Sequence, residues 1–263
     1  MRKQHFISGL PRSGSTLLST ILNQNPKFYA DISSPLARFV RAVVTESHAG
    51  PGYHLQCPEP KRIKLIQGLI ENYSYDLPPE LEVIFNTNRG WTALVDLLAV
   101  SHPDAKIICC VRDINWILDS FETLFRKNPF SISKMYSPDE AETVYTRCNA
   151  QMQPGHTLRF AYDCLKEAIT GPNKDKLLLV EYNKLAKHPE KTMREVYAFI
   201  GEEYYDCDYN TIEASYDEFD ADANVNGLHK IRKGVSYIPR GAIIPPDLWE
   251  QYLNFEVWRH NDF

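Results

Sequence analysis

No pair of cysteines in C-x-x-C spacing occurs in the 263 residues. The six present (Cys57, Cys109, Cys110, Cys148, Cys164 and Cys207) are scattered, and Cys109–Cys110 sits inside an apolar run. That pattern excludes a zinc ribbon and a disulfide framework and leaves buried, reduced thiols. Long hydrophobic runs are missing too: no stretch approaches the roughly 18 apolar residues of a membrane span. The opening "MRKQHFISGL" has too short an apolar run for a signal-peptide core. Nor is there a surplus of positive charge. The net charge of −5 argues against a general nucleic-acid binder but leaves room for a local cluster of arginines around an anionic ligand. No internal repeat or low-complexity tract is evident. The expectation is a soluble, cytoplasmic protein with neither a nucleic-acid partner nor a membrane span.

The chain does have ordinary globular composition, 43% hydrophobic and 24% charged, and enough length for a core that can hold a rigid site. Apolar runs alternate with amphipathic segments. "HFISG", "LEVIFN", "AKIICCV" and "KLLLVEY" read as four strands, the last two as continuous buried runs typical of a parallel sheet. "SGSTLLSTILNQN", "SSPLARFVRAVVTESH", "KRIKLIQGLIENYSY", "GWTALVDLLAVSH", "INWILDSFETLFRKN", residues 138–152 and 156–169, and "PEKTMREVYAFIG" read as helices. "GPGYHLQCPEP" reads as a loop. The alternation predicts an α/β fold of P-loop-like, three-layer form, with a central parallel sheet flanked by helices. One domain over 1–263 is expected, with a helical insertion at 35–75 on the acceptor side and an irregular cap at 202–263. The acidic run inside that cap, "EEYYDCDYNTIEASYDEFDADANVNG", reads as a solvated loop.

The chemistry is concentrated in "GLPRSGST", Gly9 to Thr16. Gly9 and Gly14 have the spacing of a Walker A loop and Thr16 holds its terminal hydroxyl position, but Ser15 stands where the lysine belongs and a cation, Arg12, appears earlier. Backbone amides leading into a helix N-terminus form an anion site. Gly14 allows close approach, and Ser13, Ser15 and Thr16 add hydroxyls. Without the lysine a standard Mg-ATP site is impaired.

This loop, in "FISGLPRSGSTLL", resembles the 5′-phosphosulfate loop of sulfotransferases that use 3′-phosphoadenosine 5′-phosphosulfate (PAPS), in the P-R-S-G-[ST]-T form of tyrosylprotein sulfotransferases and bacterial relatives. "KIICCVRDINWILDSF" is similar to the family's 3′-phosphate motif, with Arg112 at a strand end and Ser120 on the next helix. "LLLVEYNKLAKHPEKTMREVYAFIG" resembles its later strand–turn–helix, which implies that Tyr182 lies near the adenine; a rim-packing tyrosine is the other reading. "RKG", Arg232, Lys233 and Gly234, is similar to a late 3′-phosphate motif, or is a solvated basic turn. The resemblance implies PAPS as co-substrate, adenosine 3′,5′-bisphosphate as product, a small-molecule or peptide acceptor bearing a hydroxyl or amine, and no metal.

The sequence departs from that pattern where catalysis is expected. Thr87 stands at the place of a family lysine; Arg89 either replaces it by reaching back across the turn or caps the following helix from the surface. Ser33 and Asn88 stand near the places of the family's glutamate and histidine bases. Asp31, His48, His54 and His229 are left for that role, of which Asp31 and His48 are named. Arg12 is the first candidate to stabilise the leaving group. Two other functions remain open: a P-loop kinase or nucleotide triphosphatase, which Ser15 disfavours, and a nucleotide-binding protein that has lost its base.

Overall fold

The computed structural model describes residues 2–128, 135–222, 225, 227–231 and 233–259. Its centre is a sheet of β1 (Lys3–Gly9), β2 (Phe28–Ala30), β3 (Val83–Thr87), β4 (Ile107–Val111) and β5 (Leu177–Glu181). The strands run parallel in the order β2-β3-β1-β4-β5. β1 is central, so the chain reverses its winding direction there. Ligands of open parallel sheets lie outside the carboxyl ends of the strands at such a switch point.

Helices cover both faces. In chain order they are α1 (Ser15–Leu22), α2 (Leu36–Glu46), α3 (Tyr53–Gln56), α4 (Glu59–Tyr73), α5 (Val95–Ser101), α6 (Ile114–Lys127), α7 (Pro138–Ala141), α8 (Val144–Gln151), α9 (Thr157–Thr170), α10 (Tyr182–Lys187), α11 (Pro189–Ile200), α12 (Asp217–Asp222) and α13 (Pro246–Gln251). Side chains alternate across a strand, and β4 shows the result. Ile108 and Cys110 join the core under α1 and α11. Ile107, Cys109 and Val111 join the core under α2, α4, α6 and α9. All five β4 residues are therefore buried, and the expected three-layer α/β architecture is present.

Several local expectations are corrected. β2 was not foreseen: its three residues are too few for alternation to be read, and it exists because Phe28–Ala30 pair with Val83–Phe85. The "GPGYHLQCPEP" loop contains one helical turn, α3, after Gly52. Residues 138–152 form two helices, each with its own cap: the Ser137 N–H donates to the Glu140 carboxylate at 2.8 Å, and the Thr146 N–H donates to the Thr143 hydroxyl at 3.0 Å. "GWTALVDLLAVSH" begins as a 3₁₀ turn, Arg89–Leu94, that buries Trp91 before α5 starts. The acidic run is not uniformly solvated, because it forms α12 and turns Asp220 fully inward.

Candidate functional site

Four strand ends supply the site. β1 runs into the Gly9–Thr16 loop, β3 into Asn88 and Arg89, β4 into Arg112, and β5 into Tyr182. Neighbouring parallel strands lie about 4.8 Å apart, and the register pairs Ile7 with Thr87, Gly9 with Cys110 and Val111 with Glu181. Residues far apart in sequence therefore face one cleft of about 1740 Å³.

The loop is set by backbone conformation. Gly9 has φ 96° and Gly14 has φ 95°. A β-carbon on Gly9 would stand 2.2 Å from the Cys110 carbonyl oxygen, and one on Gly14 would stand 2.9 Å from the Tyr182 ring. Both positions need glycine for space as well as for φ. Arg12 also has positive φ, 56°, a left-handed conformation that is uncommon outside glycine and is held by its surroundings. The Ser13 hydroxyl does not face the cleft. It is buried and donates toward the carbonyls of Leu10 and Cys110, the latter at 2.9 Å, so it ties the loop to β4 and leaves Ser15, Thr16 and the first-turn amides of α1 to face outward.

Three guanidinium groups converge on this loop. Arg12 Nε donates to Ser120 Oγ at 3.1 Å, and its Nη1 donates to the Leu228 carbonyl. Arg89 Nη2 donates to Ser15 Oγ at 3.0 Å, and its Nη1 is buried without a partner. Arg112 Nη1 reaches the Arg12 carbonyl at 3.5 Å. Its guanidinium lies 4.3 Å from the Tyr182 ring centre and 5.9 Å from that of Trp116, and its Nε is buried without a partner. Among the described residues none of the three has a carboxylate at ion-pairing distance. Burial pulls the Arg12 pKa down to about 10, with the Arg112 charge adding to the effect. Burial also lowers those of Arg89 and Arg112. All three remain cations at neutral pH. Clustered, desolvated cations with spare N–H groups are an arrangement built for an anion.

Not every candidate from the sequence reaches this place. Arg12, Gly14, Ser15, Thr16, Arg89, Arg112, Ser120, Tyr182 and Gly234 line the cleft. Arg89 does not cap its helix from the surface: Asn88 does, with Oδ1 accepting from the Gly90 N–H at 2.8 Å, while Arg89 turns inward. Thr87 is buried and its hydroxyl donates to the Asp31 carbonyl at 2.6 Å. Asp31 lies outside the cleft wall. Its carboxylate accepts from the Thr87 N–H at 2.6 Å and Asn86 Nδ2 at 2.8 Å, so it clasps β2 to β3 and both its oxygens are taken. Burial raises its pKa to about 7. His48 is brought nowhere near the cleft; it is exposed at the end of α2, where Nδ1 contacts the Val44 carbonyl at 3.0 Å and the ring lies beside His54. Lys233 is exposed and absent from the cleft wall. Arg232 lies outside the described residues. No described residue from 35 to 75 lines the cleft.

Other residues of the site were missed. Trp116 stands on α6, and the Arg240 guanidinium lies 4.9 Å from its ring centre. Arg112 precedes the helix and Trp116 sits in its first turn, so no helix-face spacing links the two and the tryptophan carried no local signal. Arg240 is fixed by an ion pair with Asp119, whose Oδ1 accepts from the Ile243 N–H at 2.6 Å; that long-range clamp has no local sequence signal. His229 was not missed: the sequence left it open as a base, and it lines the cleft beside Leu228, paired with the buried Asp220.

Comparison with solved structures returns the same fold. A sulfotransferase from Alicyclobacillus acidocaldarius is 16% identical, with 100% of this chain and 98% of that chain covered and a TM-score of 0.55. The sulfotransferase domain of the Synechococcus PCC 7002 olefin synthase is also 16% identical, with 100% and 96% covered and a TM-score of 0.52. No curated protein sequence matches closely enough to count as a relative. Residues 5–206 match the family described as the sulfotransferase family. That span holds the loop, all three unpaired arginines, Ser120 and Tyr182, and on it the chain belongs to the sulfotransferase family.

Proposed function

We propose that the cleft binds PAPS and transfers its sulfuryl group to the hydroxyl or amine of a small-molecule acceptor. The observation that carries this reading is the trio Arg12, Arg89 and Arg112, half-buried around a Gly-rich loop with no carboxylate partner among the described residues. The residues fit the co-substrate. The first-turn amides of α1 with Ser15 and Thr16 suit the 5′-phosphosulfate. Arg112 and Ser120 suit the ribose 3′-phosphate, with the guanidinium fork matching phosphate bidentately. Tyr182 and Trp116 offer aromatic faces for the purine. Gly234 brings its backbone to the same wall. The absent Walker lysine speaks against the kinase or triphosphatase reading.

PAPS supplies an activated sulfuryl group whose leaving group is adenosine 3′,5′-bisphosphate. The protein's part is positional and electrostatic. Arg12 and Arg89 stabilise charge that develops on the departing 5′-phosphate, inside a partly desolvated cleft where fixed cations act most strongly. The loop amides hold the reacting bond in line. The acceptor enters from the side bounded by Ile32, Ser33 and Asn88 on one lip and Phe219, Gly227, Leu228 and His229 on the other. The six free thiols support a reducing, cytoplasmic setting. No helix among the described residues is long and apolar enough to cross a membrane.

A ligand-linked melting experiment tests the reading. Adenosine 3′,5′-bisphosphate at a hundredfold excess over its Kd adds about 2.7 kcal/mol of stability, while Mg-ATP adds much less. Stabilisation by Mg-ATP and none by the bisphosphate contradicts it.

A further inference from the structure

Ser33 and Asn88 stand near the places of the family's bases, and Asn88 is committed to capping the 3₁₀ turn and to the Ser34 carbonyl at 2.6 Å. Asp31 has no free oxygen and His48 is remote. His229, on the cleft wall beside Leu228, is free of these objections. His229 Nδ1 lies 2.6 Å from Asp220 Oδ1. A carboxylate can only accept, so Nδ1 carries the proton and Nε2 keeps its lone pair. The His229 backbone N–H also donates to Asp220, at 3.2 Å to Oδ1 and 3.1 Å to Oδ2. Phe219 meets the imidazole edge-on at 4.9 Å. Ring and main chain are thus held by one fully buried carboxylate. The preceding carbonyl, that of Leu228, accepts from Arg12, so the peptide carrying His229 is tied to the phosphate loop itself.

Resting on the sulfuryl-transfer reading, we propose that His229 is the general base of the reaction and that Asp220 positions it. The acceptor O–H gives its proton to Nε2 while its oxygen forms the new S–O bond. The bond from sulfur to the bridging oxygen breaks, and its electron pair leaves on the 5′-phosphate of adenosine 3′,5′-bisphosphate. The imidazolium so formed faces the Asp220 carboxylate, which stabilises it until the proton passes to solvent. A base must be unprotonated before the step, and the surroundings favour that. Burial lowers the His229 pKa, the Arg12 and Arg89 charges lower it further, and Asp220 opposes them. This is the logic of an aspartate-oriented histidine, which fixes the tautomer without taking up the proton.

The test uses the full chain and the variants His229→Gln and Asp220→Asn. PAPS turnover is followed with a panel of alcohol, phenol and amine acceptors and with water, in parallel with bisphosphate affinity. Loss of a general base lowers turnover by about 100- to 10,000-fold; His229→Gln is expected in that range with bisphosphate Kd unchanged within about threefold. Wild-type turnover in His229→Gln, or loss of affinity in step with rate, overturns the proposal. Failure of the wild type to bind bisphosphate overturns the co-substrate reading instead. Nitrogen-15 shifts of the His229 ring provide a readout that needs no acceptor: at neutral pH the proton is expected on Nδ1, moving to Nε2 in Asp220→Asn. A wild-type ring protonated on Nε2 overturns the assignment whatever the turnover shows.

Discussion

Two groups of arginines lie within a few turns of each other and are treated in opposite ways. Around α6, each arginine has its carboxylate. Arg147 is clamped to Glu122 through two bonds of 2.8 Å, Arg126 meets the same carboxylate at 2.7 Å, and Arg240 pairs with Asp119. Around the Gly9–Thr16 loop, Arg12, Arg89 and Arg112 are half-buried, yet among the described residues they contact hydroxyls, carbonyls and ring faces only. The first group is complete within the chain and fixes the cleft wall. The second is complete only when something anionic joins it. Burying a charge without an opposite charge is costly, so the difference separates arginines that hold the structure from arginines that wait for a ligand.

That separation can be broken from the structural side first. Glu122→Ala leaves Arg147 buried without its partner and is expected to cost about 3–5 kcal/mol of stability, read by urea denaturation and unaffected by nucleotide. A loss under 1 kcal/mol would mean that the paired group is not a fixture. On the ligand side the sign reverses. Arg112→Met is expected to leave the ligand-free chain as stable as the wild type or more so, because a desolvated cation is removed. It is expected to weaken bisphosphate binding by about 3 kcal/mol, roughly 100-fold, by calorimetric titration. Loss of ligand-free stability matching that of Glu122→Ala would erase the distinction.

A third solution to the same problem is to bury a titratable group in its neutral form. His5 Nδ1 accepts from the Lys106 N–H at 3.1 Å. Burial, with Lys3 and Lys106 nearby, lowers its pKa from 6.5 to about 4. The unfolded chain therefore binds a proton that the folded chain refuses, and stability falls as pH drops from 6.5 towards 4. His5→Gln is expected to remove about 2 kcal/mol of the stability difference between pH 7.5 and pH 5. Asp31 acts with the opposite sign. Its pKa is raised to about 7, so it subtracts stability as pH rises from its unfolded value towards 7. The smallest expected effects distinguish two serines. Ser13→Ala should cost about 1 kcal/mol of stability and little affinity, because its hydroxyl bonds to β4. Ser120→Ala should do the reverse. Equal effects on both quantities would blur the boundary between loop scaffold and ligand contact.

The parts of this picture legible in the sequence are those with local signals. Continuous apolar runs marked β4 and β5, glycine spacing marked the loop, and the strand-end position of Arg112 followed from the end of "IICCV". What was illegible depended on contacts across the chain. β2 needs β3 to exist. The direction of Arg89 is decided by Asn88 taking the cap and by the depth of the cleft, neither of which a tripeptide reveals. Asp220 looked like one more solvated carboxylate in an acidic run, since composition cannot show which member turns inward to meet a histidine nine residues on. Ser13 was read as a ligand for the same reason: a hydroxyl in a phosphate loop can point either way, and the Cys110 carbonyl decides.

The most direct test is a crystal structure of the chain with adenosine 3′,5′-bisphosphate. The account predicts the 5′-phosphate on the first-turn amides of α1 beside Arg12 and Arg89, and the 3′-phosphate bonded to Arg112 and Ser120. A nucleotide bound elsewhere, or one whose phosphates leave the three arginines without an anion, would contradict it.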